Sequence, residues 1–260
     1  MTVSRPAQRA LICSYPKSGR TWLRYMLAHV LVTHFALDTK LDLATMYSVV
    51  PNDDLDVDRG WPGYRSLGVL PSVATSHERY DERLHGGCPI VFLVRDPRDV
   101  VVSYWFHRSR HMRRFTGELS AFVRDPRYGI ADMLAHLETW AAAAERERML
   151  IVSYEEMKAD AASSLRRICD SFEISVSDDT VRGAAAAGEF GRMREMELET
   201  AVGGYSYDRG DDSALRVRRG TVHGFSDYLG SAEEEIIRSH IAGASHRVQK
   251  ILDRPGYPRI

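Results

Sequence analysis

The sequence predicts an α/β fold with a central parallel sheet flanked by helices. Three observations predict it. Continuous apolar runs containing β-branched residues recur at 10–13, 89–94 and 149–153, the pattern of strands buried on both faces. Segments of helical periodicity alternate with these runs, which is the signature of a parallel sheet covered by helices on both sides. Finally, the segments richest in chemistry (15–22, 75–77, 95–103 and 153–157) each lie at or just beyond the carboxyl end of a strand. That is where such sheets bind ligands.

The elements follow in order. Ala10-Leu11-Ile12-Cys13 is a short apolar strand, and Leu23 to Leu31 is an amphipathic stretch read as a helix. Between them lies the polar loop Tyr15-Pro16-Lys17-Ser18-Gly19-Arg20-Thr21-Trp22. Residues 38–70 have weak periodicity and are rich in Asp, Gly and Pro; residues 69–77 form a short extended segment. The strand at 89–94 runs through Arg95-Asp96-Pro97-Arg98 into a helix over about 99–108. Asp96 is placed as N-cap and Pro97 at the first helical position. A basic segment, 108–114, and a loop to Pro126 precede a helix over about 129–147. After the strand at 149–153, helical patterns dominate at 161–172, 178–187, 190–198 and 231–252.

Composition bounds the function classes. A chain of 260 residues is long enough for one well-buried α/β core, read here as a single domain over 1–260. The formal charge of −1 excludes a globally basic nucleic-acid binder. No apolar run reaches the ~18 residues that span a membrane, and the first residues lack an apolar signal core. The expectation is a cytoplasmic protein. Three scattered cysteines suit neither a disulfide framework nor a zinc site, and Cys13 and Cys169 sit in apolar segments as core residues.

The loop at 15–22 carries the chemistry. A strand, a tight polar loop and a helix start form a socket for phosphate or sulfate, built from backbone N–H groups. Lys17 adds a point charge, one of only four lysines in the chain. It stands two residues before Gly19, unlike the common phosphate loop in which Lys directly follows the last Gly. The string Pro-Lys-Ser-Gly-x-Thr-Trp resembles the 5′-phosphosulfate-binding loop of the cytosolic sulfotransferases. Arg95-Asp96-Pro97-Arg98-Asp99, with Ser103 eight residues after Arg95, resembles that family's 3′-phosphate motif. Read alone, it would be an arginine paired with Asp99 and a serine on its own helix. Arg216-Val217-Arg218-Arg219-Gly220-Thr221-Val222-His223-Gly224-Phe225 packs three arginines before a glycine and resembles the signature Arg-Lys-Gly-x-x-Gly-x-Trp. Arg219 replaces the lysine there and Phe225 the tryptophan. A solvated loop is the ordinary reading of such a run.

The three motifs, in the family's order, spread the resemblance from Leu11 to about Leu229. It implies a three-layer P-loop-like fold and sulfuryl transfer from 3′-phosphoadenylyl sulfate (PAPS) to a hydroxyl or amine of a small-molecule acceptor, leaving adenosine 3′,5′-bisphosphate (PAP). It also implies a donor site of Lys17, Ser18, Gly19, Arg20, Thr21, Trp22, Arg95, Ser103, Arg218, Arg219 and Gly220. Tyr154, Phe190 and Met193 complete the adenine pocket. Trp140 is read instead as core.

Two jobs need named residues. Lys17 and the loop N–H groups stabilise charge on the leaving phosphate, and a base must take the acceptor's proton. His77 matches the family's catalytic histidine in a Lys-Thr-His-Leu-Pro context, although Thr75 stands for the lysine and Glu78-Arg79 for Leu-Pro. The adjacent Glu78 is the alternative base. The lost lysine implies that sulfuryl stabilisation leans harder on Lys17. The resemblance implies a catalytic set of Lys17, His77 and Ser103, and no acidic metal-binding constellation stands near the loop.

Nothing in the sequence fixes the acceptor. Tyr47, Trp61 and Tyr64, the basic 108–114 segment and the Gly/Asp-rich stretch 203–213, a candidate lid, are expected around it. A kinase would want Lys directly before Ser/Thr in the loop and a Mg²⁺ carboxylate after a strand. A non-catalytic PAPS-binding module has only the altered residues around His77 in its favour. A homodimer is the family habit, but its short dimer motif is not evident around Thr221-Val222.

Overall fold

The computed structural model describes residues 9–53, 72–202 and 207–253. Its centre is a four-stranded parallel sheet of β1 (Arg9–Ser14), β2 (Ser72–Ser76), β3 (Ile90–Val94) and β4 (Met149–Ser153), in the order β2-β1-β3-β4. Ile12 is in register with Thr75 and Val91, and Val94 with Ser153. The chain steps from β1 to β2 on one side and then to β3 on the other. The order therefore reverses at β1, whose carboxyl end carries the 15–19 loop. A topological switch point of this kind is where open parallel sheets place their ligand crevice.

The strands are buried because both faces are covered. Ala10, Ile12, Val91 and Leu93 pack into one core beneath α1 (Arg20–His34), with Met46 and Tyr47 of the short α2 (Met46–Val49). Leu11, Cys13, Ile90 and Phe92 pack into the other, against α4 (Pro97–Phe106) and α6 (Ile130–Ala143). Two short helices, α3 (Glu82–His85) and α5 (Leu119–Val123), lie between these elements in the chain. The one-residue alternation between cores follows from the period of two along a strand.

Trp140 is fully buried, stacked on Phe92 at 5.1 Å, and donates its indole N–H to the Glu78 carbonyl at 3.1 Å. The expected core residue thus also anchors the backbone beside the candidate base.

Beyond the sheet come α7 (Tyr154–Ala159), α8 (Ala161–Ser171), α9 (Asp178–Ala187), α10 (Phe190–Glu199), α11 (Ser231–Ala242) and α12 (His246–Leu252). Asp96 caps α4 as expected, accepting from the Arg98 N–H, with Pro97 first in the helix. Three expectations need correction. The single helix at 231–252 is two: α11 ends at Gly243, and Ser245 caps α12 by accepting from the Val248 N–H. The loop before Pro126 contains α5, which buries Phe122 and Val123. The helix expected to reach residue 147 stops at Ala143, where the apolar face runs out into Glu145-Arg146-Glu147.

Candidate active site

The phosphate loop is held open by its backbone. Gly19 caps α1 at φ 104° and accepts from the Trp22 and Leu23 N–H groups. A side chain here would be strained and would place its Cβ 2.6 Å from the Tyr154 ring. Lys17 is also left-handed, at φ 72°, a strained state that recurs at functional positions. Loss of water around its ammonium lowers the Lys17 pKa to about 7; Arg216, Arg95 and Arg218 push the same way, while Glu197 opposes them.

The second and third motifs are welded together. Asp99 accepts from the backbone N–H of both His223 and Phe225, at 2.9 Å each. His223 holds φ 60° at the position of the signature's second glycine. Arg95 pairs with Asp99 at 3.5 Å, donates to the Thr221 carbonyl at 3.0 Å and lies 4.2 Å over the Tyr154 ring. The ion pair that the sequence offers as the bland reading is thus present, yet it holds Arg95 at the cavity wall. Arg218 lies 3.9 Å over Phe106 and donates to the Tyr228 hydroxyl at 2.8 Å. Arg219 pairs with Asp227 at 2.7 Å. At Gly220, φ is 63° and a Cβ would come within 2.3 Å of the Phe190 ring, so backbone and aromatic meet directly.

Lys17, Gly19, Arg95, Asp99, Arg218, Arg219 and Gly220 line one cavity of about 460 Å³ at the carboxyl ends of the strands. Every donor-site and catalytic candidate named from the sequence lines it except Ser18, which is buried. Trp22 meets Tyr154 edge-on at 5.5 Å, and its indole N–H donates to the Gly188 carbonyl at 2.6 Å. The same cavity is lined by Arg108, Met112 and Arg114 from the basic segment. There the helix widens after α4 into a single π turn, His107–His111, a distortion frequent at functional sites. Tyr47 lines the cavity too; Trp61, Tyr64 and residues 203–206 lie outside the described residues.

His77 sits at the end of β2. Its Nδ1 is 2.7 Å from the Ser14 carbonyl oxygen, at the end of β1. A carbonyl only accepts, so Nδ1 carries the hydrogen and Nε2 is the acceptor nitrogen of the neutral ring. The 77–78 backbone is clamped from the other face: His136 Nε2 lies 3.2 Å from the carbonyls of both His77 and Glu78. Burial lowers the His136 pKa to about 4 against the opposing pull of these carbonyls, so it stays neutral. Glu78 also lines the cavity.

The sequence reading missed the Ser14 contact with His77, Asp99 as the joint between motifs, and Arg24 in the cavity wall. Asp99 had a local signal in the second motif, and Arg216, also in the cavity wall, had one as the first of the three arginines before Gly220.

Comparison with known proteins fits this geometry. The family model described as "Sulfotransferase domain" matches residues 7–250. The chain belongs to the sulfotransferase family. Rat sulfotransferase 2A2 is 24% identical over 245 residues, covering 86% of this chain and 80% of its own. A flavonol 3-sulfotransferase of Flaveria bidentis is 29% identical over 172 residues, 61% of this chain and 54% of its own. Mouse sulfotransferase SULT7A1, solved in complex with PAP, superposes with a TM-score of 0.66 at 22% identity, over 95% of this chain and 89% of its own. As a member of this family, the chain is a sulfotransferase enzyme.

Proposed function

We propose that this sulfotransferase moves a sulfuryl group from PAPS to a hydroxyl or amine of a small-molecule acceptor, with His77 as base and Lys17 as the cation on the leaving phosphate. The observation that carries the reading is the His77 Nδ1–Ser14 carbonyl contact at 2.7 Å, which orients a proton-accepting nitrogen in the cavity that also holds Lys17. His77 takes the acceptor's proton at Nε2. Lys17 and the first N–H groups of α1, which have no carbonyl one turn before them, meet charge on the leaving oxygen. Arg95, Ser103, Arg218 and Arg219 hold the 3′-phosphate, Arg by bidentate donation, with the Gly220 backbone beside them. Trp22, Tyr154, Phe190 and Met193 enclose the adenine. Glu78 beside His77 is the second reading for the base.

A cytosolic location accords with relatives such as the Arabidopsis protein named cytosolic sulfotransferase 7. No helix among the described residues is long and apolar enough to cross a membrane. A homodimer follows family habit alone.

The test is sulfuryl transfer from labelled PAPS to a panel of phenols, alcohols and amines. Transfer without added Mg²⁺ is expected. Absence of PAP release with every acceptor and with water, or a requirement for Mg–ATP, would overturn the reading.

Lys17 adds a pH signature. A lysine with a pKa of about 7 in the free protein is partly neutral at pH 7.5–8, and an anionic ligand binds the protonated form more tightly. PAP affinity is therefore expected to fall as pH rises above 7, by up to about tenfold per unit, with proton uptake on binding. The phosphates of PAP are already dianionic there, so the signal belongs to the protein. Calorimetry in buffers of different ionisation enthalpy measures it; a Kd flat from pH 7 to 9 would contradict it.

A further inference from the structure

The signature around the base has a lysine two residues before the histidine, and this chain has Thr75. The structure puts a cation at that point from another element. Arg24, one turn into α1, is 1% exposed, and its guanidinium donates through Nη2 to the Thr75 hydroxyl and the Asn52 side-chain carbonyl. Its Cζ lies 4.1 Å over the Tyr47 ring. Thr75 is itself pinned: its N–H donates to the Pro51 carbonyl at 2.9 Å, and its carbonyl accepts from the Asp53 N–H at 2.8 Å. Arg24, Lys17 and His77 line the same cavity.

We infer that Arg24 supplies the positive charge that Thr75 cannot, acting on the transferred sulfuryl group from the wall between the donor loop and the base. The inference rests on the sulfuryl-transfer reading above.

Two physical points favour it. Burying a guanidinium is costly, and this one meets the Thr75 hydroxyl, the Asn52 amide oxygen and the Tyr47 face at the wall of the cavity, which sets its charge beside that cavity. The neighbouring Tyr47 lies within reach of this charge. Burial pushes its hydroxyl pKa up, yet Arg24, Arg216 and Arg20 outweigh burial and leave it below its ordinary value. Second, Arg24 and a lysine at 75 would exclude one another, because two cations at hydrogen-bonding distance in a desolvated wall repel strongly. A threonine at 75 and an arginine at 24 are therefore two halves of one arrangement. The charge comes from the helix that begins at the phosphate loop and is oriented by the strand that ends at His77.

The charge can be moved back. Arg24→Gln keeps side-chain hydrogen bonding and removes the charge; kcat is expected to fall about tenfold or more, the lower end for losing one stabilising group. PAP-induced thermal stabilisation should be kept, since Arg24 contacts Thr75, Asn52 and Tyr47, none of which is placed on the nucleotide. Adding Thr75→Lys to Arg24→Gln should restore at least half of the lost rate on a logarithmic scale, whereas Thr75→Lys alone should lower it. The rate is PAP release from labelled PAPS, with 2-naphthol as probe acceptor, or with water if 2-naphthol is not taken. Should Arg24→Gln fail to fold, the double variant alone decides: a folded, active double variant supports the charge relocation, and an unfolded or inactive one overturns it. Arg24→Gln within twofold of the parent kcat, or a double variant no better than Arg24→Gln, also overturns it. Absence of PAP release by the parent enzyme would instead sink the sulfuryl-transfer reading itself.

Discussion

Lys17→Ala lowers turnover by ~10²–10³, the scale for removing one oxyanion donor from a preorganised site. The reason is positional. Lys17 sits in a left-handed loop residue directly before Ser18-Gly19 and is drawn into a wall already holding Arg95, Arg216 and Arg218. Burial first, and these cations with it, depress its pKa in the free protein, so its positive charge there lacks solvation and meets repulsion. Charge arriving on the leaving phosphate relieves that repulsion, and the benefit grows as the bond to sulfur lengthens. The larger loss is therefore expected in kcat, with a smaller loss in PAP affinity, because PAP keeps Arg95, Arg218, Arg219 and the loop N–H groups. The measurement is steady-state turnover with PAP affinity determined alongside. A loss below about threefold would remove Lys17 from the reaction.

His77→Ala is the second large effect, a loss of ~10²–10⁴, the range for a general base. Nothing about donor binding should change much, since the ring's held nitrogen bonds to Ser14 rather than to a donor-site side chain. Glu78→Gln is the control for the alternative base and should leave turnover within a few-fold. If PAP affinity collapsed in His77→Ala, the histidine would be a structural or donor-binding residue. If Glu78→Gln carried the larger loss, the base would be the carboxylate.

Much of this site was legible because its chemistry is carried by contiguous residues. The loop at 15–22, Arg95 with Ser103, and Arg218-Arg219-Gly220 are short strings whose order and spacing encode geometry. The strands were legible for a related reason: Ile90 to Val94 is apolar at every position because both faces are covered. What escaped was made by residues far apart in sequence. Ser14 meets His77 only because β1 and β2 run parallel in a register that pairs Cys13 with Ser76. Arg24 looks like a surface arginine on an amphipathic helix until α1 packs beside Thr75 and Tyr47. The charge lost at Thr75 was visible, but its replacement was not, so the expected extra burden on Lys17 needs the Arg24 contact beside it.

Short helices escaped as well. α7 was signalled by Ser153-Tyr154-Glu155-Glu156, whose serine and Glu156 form a capping box. The break before α12 was signalled by Gly243 and Ser245, overruled in the sequence reading by the apolar period on both sides.

The central claim is a donor site selective for the 3′-phosphate, and thermal unfolding tests it most directly. Adenosine 3′,5′-bisphosphate, its 2′,5′ isomer and ATP with and without Mg²⁺ would be compared. At ~100 times its Kd a ligand adds about 2.7 kcal/mol of stability. A metal-independent shift of that order, selective for the 3′,5′-bisphosphate, is the predicted result. Equal shifts with both isomers, or a shift only with Mg–ATP, would contradict it.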